Sequence, residues 1–164
     1  MLFNPDIEQL PIEKLRKVQN EKLQKTLQKV YNKVPFYKEA FDRAGVKPED
    51  IKGVEDLHKL PFTKKNHLRE SYPFGLFAED KSNVIRLHCS SGTTGKPTVV
   101  GYTRNDIELF SEVVARSLAA SGCKPGMTLQ NAYGYGLFTG GLGLHYGAEK
   151  LGMTVVPISG GNTE

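Results

Sequence analysis

The chain has 164 residues, 38% of them hydrophobic and 24% charged, with a mean hydropathy of −0.40. That is the composition of a soluble globular protein, and no stretch reaches the roughly 20 apolar residues that a membrane helix needs. The formal net charge of +4 lies in the first part, where residues 1–70 hold fifteen Lys/Arg against eleven Asp/Glu, while 71–164 hold seven of each. The excess is spread along predicted helices without interleaved aromatics, which reads as solvated surface and excludes a nucleic-acid face.

The opening MLFNPDIEQLPIEKL places acids and prolines ahead of its first lysine. It has neither the basic flank nor the apolar run of a secretory signal, so a cytoplasmic location is expected. Residues 12–34 then repeat Ile12, Leu15, Leu23, Leu27, Val30 and Val34 at three- and four-residue steps, with polar Gln19 in the gap. This spacing predicts one long amphipathic helix. Pro35 stops it, residues 36–44 form a second short helix, and Gly45 closes that one as a left-handed cap.

Residues 46–82 are punctuated by Pro48, Gly53, Pro61, Pro73 and Gly75. They read as an ordered connector with short helices near 54–60 and 64–70. Residues 83–88 and 99–103 are β-rich, and Thr103 followed by Asp106 offers a capping box for a helix running to Ser121, closed by Gly122. Ile107, Phe110, Val113, Val114 and Leu118 share one side of that helix, a pattern suited to packing on a sheet. A strand over 127–132, a Gly-rich turn, a helix over 139–151 capped by Gly152 and a strand over 154–158 complete the order.

The expected class is therefore α/β. A helical module and connector (1–82) precedes a β-α-β-α-β unit (83–164) with parallel strands and helical crossovers, whose ligands bind beyond the carboxyl ends of the strands. The two cysteines, Cys89 and Cys123, lack a CxxC partner or a His pair at ligand spacing and read as small apolar residues in a reducing compartment. His88 adjoins Cys89, but neighbours on a strand point to opposite faces, so the pair is a poor metal site.

The stretch that carries chemistry is Ser90-Ser91-Gly92-Thr93-Thr94-Gly95-Lys96-Pro97-Thr98, directly after a predicted strand. Glycines let backbone N–H groups converge on phosphate oxygens, hydroxyls add donors and Lys96 adds charge, which is the make-up of a phosphate cradle. It is not a Walker A loop. That pattern requires glycine where Ser90 stands, and Pro97 occupies the place after the lysine. Further on, Tyr133-Gly134-Tyr135-Gly136-Leu137-Phe138 follows a predicted strand, and its aromatics and glycines suit the walls of an aryl pocket.

The segment Ser90 to Thr98 resembles the phosphate-binding signature of the acyl- and aryl-CoA ligase superfamily, a Ser/Thr/Gly loop ending in Gly-x-Pro. Most members place a lysine after that proline, whereas this chain has Thr98, which leaves Lys96 as the only cation of the loop. Blocks at 34–37, 60–64, 72–77 and 133–141 are similar to the phenylacetate-CoA ligase branch in particular, so the resemblance covers nearly the whole chain. It implies the first portion of the large amino-terminal domain of an adenylate-forming enzyme, incomplete by itself, with the metal-binding glutamate, hinge and mobile lid further along a longer chain.

The resemblance implies adenylation of phenylacetate or a related aryl acid by ATP with Mg²⁺, then thioester formation with coenzyme A. Ser90, Ser91, Gly92, Thr93, Thr94, Gly95 and Lys96 would hold the phosphates, and Tyr133, Tyr135 and Phe138 would line the acid pocket. No catalytic base, nucleophile or metal ligand is assigned within these residues. The expected partners are these small molecules alone, with no nucleic acid and no membrane, and with a homodimer through the helical module. Two other readings compete with this one: a non-catalytic module that binds nucleotide and aryl acid, and an interaction protein working through the basic helix 12–34.

Overall fold

The computed structural model describes residues 1–90 and 97–161. The chain divides into two compact units: Gln9–Lys81, and Met1–Glu8 with Ser82–Glu164. Each has a core of its own.

In the first unit, α2 (Ile12–Lys33) and α3 (Pro35–Ala44) meet at Val34, which is buried. Pro35 supplies the first helical position of α3, where a missing N–H costs nothing, and Gly45 ends it at φ 66°. Leu27, Phe41 and Ile51 form the core, with Leu23, Val30 and Leu60 packed around them. Ile12, at the start of the expected stripe, is exposed instead. The connector is tied to α2 by polar groups as well as by that stripe. Asn20 Oδ1 accepts from the Val54 amide at 3.0 Å, and Gln24 Nε2 donates to the Ile51 carbonyl. A Cβ on Gly53 would fall 2.7 Å from the Asn20 amide, which explains a glycine there. A 3₁₀ turn over Val54–Lys59 and the short α4 (Lys65–Glu70) follow.

The second unit opens with α1 (Pro5–Glu8), where Glu8 pairs with Arg116 at 3.4 Å and Asn4 donates to Glu112 at 2.9 Å. Strands β1 (Val84–Cys89) and β2 (Val99–Thr103) are antiparallel, with His88 opposite Val100 and Cys89 opposite Val99. Helix α5 (Arg104–Ala120) starts on the expected capping box: Thr103 Oγ1 accepts from the Asp106 amide at 3.2 Å, and Asp106 accepts from the Thr103 amide at 2.8 Å. Strand β3 (Thr128–Gln130), helix α6 (Thr139–Leu151) and strand β4 (Thr154–Val156) make a parallel crossover, with Leu129 opposite Val155.

The class and the order of elements are as expected, but the pairing corrects the β-α-β-α-β reading. Among the described residues only β3-α6-β4 is a parallel crossover, and β1 with β2 forms a separate two-stranded sheet. The physical reason is the short link between them. Residues 90–98 suffice for a hairpin, whereas a parallel return requires a crossover of a dozen or more residues. Helix α5 packs mainly on α6, and it also meets the β1–β2 sheet through Phe110 against Tyr102. Its buried face is the small-residue stripe Ser111, Ala115 and Ala119, at i, i+4 and i+8. Gly143 and Gly147 of α6 meet Phe110 and Val114 so closely that a Cβ on either would require its neighbour to shift. The core around this seam is Ala115, Ala119, Ala148, Leu151 and Met153.

Candidate functional site

Strand β1 ends at Cys89, and Ser90 begins the Ser/Gly segment. The mouth of that segment is closed by two hydrogen bonds, the Ser90 amide to the Thr98 carbonyl at 3.0 Å and the Thr98 amide to Ser90 Oγ at 3.2 Å. Of the expected phosphate-binding residues, Ser90 is the one described. Ser91, Gly92, Thr93, Thr94, Gly95 and Lys96 lie outside the described residues.

The aromatic turn is fastened to the end of β1 through one carbonyl. Leu137 O accepts from the Cys89 amide at 2.8 Å and from His88 Nδ1 at 3.1 Å, which fixes the proton of that ring on Nδ1 because a carbonyl only accepts. His88 is buried, and its ring meets Tyr102 edge-on at 5.4 Å. Tyr102 in turn stacks on Phe110 at 5.9 Å, and burial, followed by the nearby Asp106 carboxylate, pushes its phenol above the usual range. His88 is thus an anchor between strand and turn.

This fastening leaves an open cavity of about 350 Å³ lined by Cys89, Ser90, Tyr133, Phe138, Thr139 and Gly140. Tyr133 and Phe138 give it aromatic walls that are about half exposed. Thr139 and Gly140 are the first two residues of α6, so unpaired amides and the positive end of a helix dipole lie at its edge. Tyr135 stands elsewhere. Its hydroxyl is 2.7 Å from Asn131 Nδ2 and 3.0 Å from His145 Nδ1, and it does not line the cavity. Strand alternation would put Tyr133 and Tyr135, two apart, on one face, but the segment that holds them is not a strand and that rule does not apply.

Sequence reasoning missed Asn131 and His145, and it considered His88 only as a poor metal ligand. The signal available for Asn131 was its place immediately past β3, where a parallel sheet presents its functional groups. Among the described residues no group of three or more His, Cys, Asp or Glu is placed to hold a metal ion, and no helix is long and apolar enough to cross a membrane. Cys89 and Cys123 are unpaired thiols, each half-buried.

The fold is similar to that of part of CoA ligases of known structure. Solved structures of a 2-hydroxyisobutyryl-CoA ligase superpose with TM-scores of 0.84 and 0.85 at 30% and 32% identity, each over 93% of this chain and about a third of theirs. One is an open conformation and one the thioesterification state, both in complex with 2-HIB-AMP and CoA. No model of a known protein family matches the chain.

Within that class the chain resembles phenylacetate-coenzyme A ligases in particular. It is 64% identical to that of Thermus thermophilus over all 164 residues, 54% identical to that of Pseudomonas putida over 163 and 54% identical to that of Escherichia coli over 158. It spans about 37% of the length of these curated relatives.

Proposed function

We propose that this chain supplies the phosphate loop and the acid pocket of a phenylacetate-CoA ligase. Such an enzyme joins phenylacetate to ATP as an acyl-adenylate, releasing pyrophosphate, and the thiol of coenzyme A then displaces AMP. The observation that carries the reading is the cavity shared by Ser90 and the Tyr133–Phe138 turn, held together through the Leu137 carbonyl. A phosphate loop and an aromatic wall on one cavity are what the first step requires, because the carboxylate must lie in line with the α-phosphorus.

In this reading a phenyl ring lies between Tyr133 and Phe138, where flat apolar faces favour edge-on and offset contacts. Its carboxylate points toward Ser90, and the amino terminus of α6 favours the negative charge. Segment 90–96 cradles the β- and γ-phosphates by its amides and hydroxyls, with Lys96 offsetting part of their charge. Among the described residues no group of three or more His, Cys, Asp or Glu is placed to hold Mg²⁺; when bound, the ion would offset the charge of the phosphates. Both nucleophiles, carboxylate and thiol, come from substrates, and the chain's task is to bind and orient them. The reading brings with it a cytoplasmic location and a homodimer through the helical module. Spanning about a third of its relatives' length, the chain alone is proposed not to complete thioester formation.

The test is titration of phenylacetate into the chain, followed by NMR of the aromatic side chains. Resonances of Tyr133 and Phe138 shift saturably, acetate does not reproduce the shifts, and Phe138→Ala weakens binding about tenfold through lost apolar contact. Equal effects of acetate and phenylacetate, or shifts confined to residues away from the cavity, would refute the aryl pocket.

A further inference from the structure

Behind the cavity, and lining none of it, runs a chain of hydrogen bonds that begins at a buried amide. Asn131, only 1% exposed, sits one residue beyond β3. Its Nδ2 donates to the Tyr135 hydroxyl at 2.7 Å and to the Gly141 carbonyl at 2.9 Å, and its Oδ1 accepts from the Tyr133 amide at 3.2 Å. Its main chain is held as well, the amide by Val156 O at 2.9 Å and the carbonyl by Ser159 N at 3.1 Å. The amide orientation is settled by its neighbours. Turned over, Oδ1 would face the Gly141 carbonyl, acceptor against acceptor.

In that orientation the Tyr135 hydroxyl accepts from Asn131, and the same hydroxyl meets His145 Nδ1 at 3.0 Å, while His145 Nε2 lies 3.0 Å from Glu149 Oε1. The chain thus runs from the end of β3, through the aromatic turn, to the third turn of α6. It joins three elements that sequence separates, and it leaves no buried side-chain polar atom unpaired among the described residues.

We propose that Asn131, with Tyr135 and His145, is a positioning device that fixes the Tyr133–Phe138 turn on α6 and so sets the shape of the acid pocket. Asn131 holds the Tyr133 backbone at one end and the Gly141 carbonyl at the other, so the Tyr133 ring is laid on Gly140. The fit there is close, since a Cβ on Gly140 would meet Tyr133 Cε1 at 2.6 Å. Tyr135, placed by sequence pattern in the pocket wall, has this supporting task instead. The proposal rests on the aryl-acid reading for what the pocket binds, but not for the geometry.

The two are separated by experiment on the 164-residue chain. Tyr135→Phe keeps the ring that meets His145 edge-on at 5.7 Å and removes only the hydroxyl. The measured quantities are the nuclear Overhauser contact between the Tyr133 ring and Gly140, the β3–β4 amide pattern, and phenylacetate affinity. The expected result is loss of the Tyr133–Gly140 contact with the β3–β4 pattern retained, and affinity lower by about three- to tenfold, the worth of one hydrogen bond. Asn131→Ala gives the same result more strongly; should it fail to fold, Tyr135→Phe decides alone. A Tyr133–Gly140 contact unchanged in Tyr135→Phe overturns the proposal. If affinity then falls all the same, Tyr135 touches the acid directly. Loss of the contact in a chain whose wild type binds no phenylacetate upholds the positioning and sinks the aryl-acid reading.

Discussion

Single glycines decide how closely α6 can approach its neighbours, and they do not all decide it alike. At Gly147 an added Cβ would lie 2.2 Å from Val114 Cγ1 and 2.5 Å from its Cβ, an atom that no rotamer change can move. At Gly143 the nearest atoms, at 2.5 and 2.6 Å, are the far end of the Phe110 ring, which can swing. Gly136 meets nothing within 4 Å. Overpacking costs about 1–3 kcal/mol, against roughly 1 kcal/mol regained because alanine is the better helix former. Gly147→Ala is therefore expected to lose about 1–2 kcal/mol of net stability in urea unfolding, with Gly143→Ala near neutral. Gly136→Ala, outside the helix and in open space, is the control. A Gly147→Ala variant as stable as wild type would mean that the α5–α6 seam is looser than its distances indicate.

At the scale of elements, the carboxyl end of α3 is fastened by charge. Asp42 accepts from Lys38 at 2.8 Å, from the Tyr31 hydroxyl at 2.7 Å and from Lys47, which also donates to Tyr31 at 2.6 Å. Hydrogen bonds from Lys38 foremost, then Lys47 and Tyr31, hold the Asp42 carboxyl well below its ordinary value of 3.8. A depressed carboxylate contributes stability that is fully present above its unfolded value and is lost as the pH falls through the folded one. The melting difference between wild type and Asp42→Asn is thus expected to stay constant from pH 7 to about pH 5 and to shrink below it. Molar salt reduces it too, because the group is solvent-facing. A difference that grows on acidification would contradict the assignment. Such elements were legible in the sequence because their ends are local chemistry: Pro35 and Gly45 around α3, the Thr103–Asp106 box of α5, Gly152 after α6. Pairing was less legible, since a helix between β2 and β3 suggests a crossover whether or not the two strands share a sheet. The partner of α5 was hidden for a related reason. Counting large apolar residues overlooks a seam made of Ser111, Ala115 and Ala119, where smallness sets the contact. In the site, Tyr133 and Phe138 line the cavity and Tyr135 does not, a difference that residue type alone cannot give because it depends on the buried Asn131 that holds Tyr135.

The molecule as a whole rests on two cores that share no residue, Leu27, Phe41 and Ile51 in one unit and Ala115, Ala119, Ala148, Leu151 and Met153 in the other. Every residue of the cavity and of the Asn131 network belongs to the second. Phe41 and Leu151 are each 3% exposed, so truncating either opens a hole of similar kind in a different core. Large-to-small changes of this sort cost about 2–5 kcal/mol, enough to be read locally by amide hydrogen exchange. Phe41→Ala is expected to speed exchange in α2 and α3 while leaving β3, α6 and β4 protected, and to leave phenylacetate affinity where it was. Leu151→Ala reverses the pattern and weakens binding, because the α6 that it loosens carries Gly140, Gly141 and His145. Exchange that rises equally in both units for either variant would show that the chain unfolds as one cooperative body. The acid pocket would then depend on the helical unit as much as on its own core.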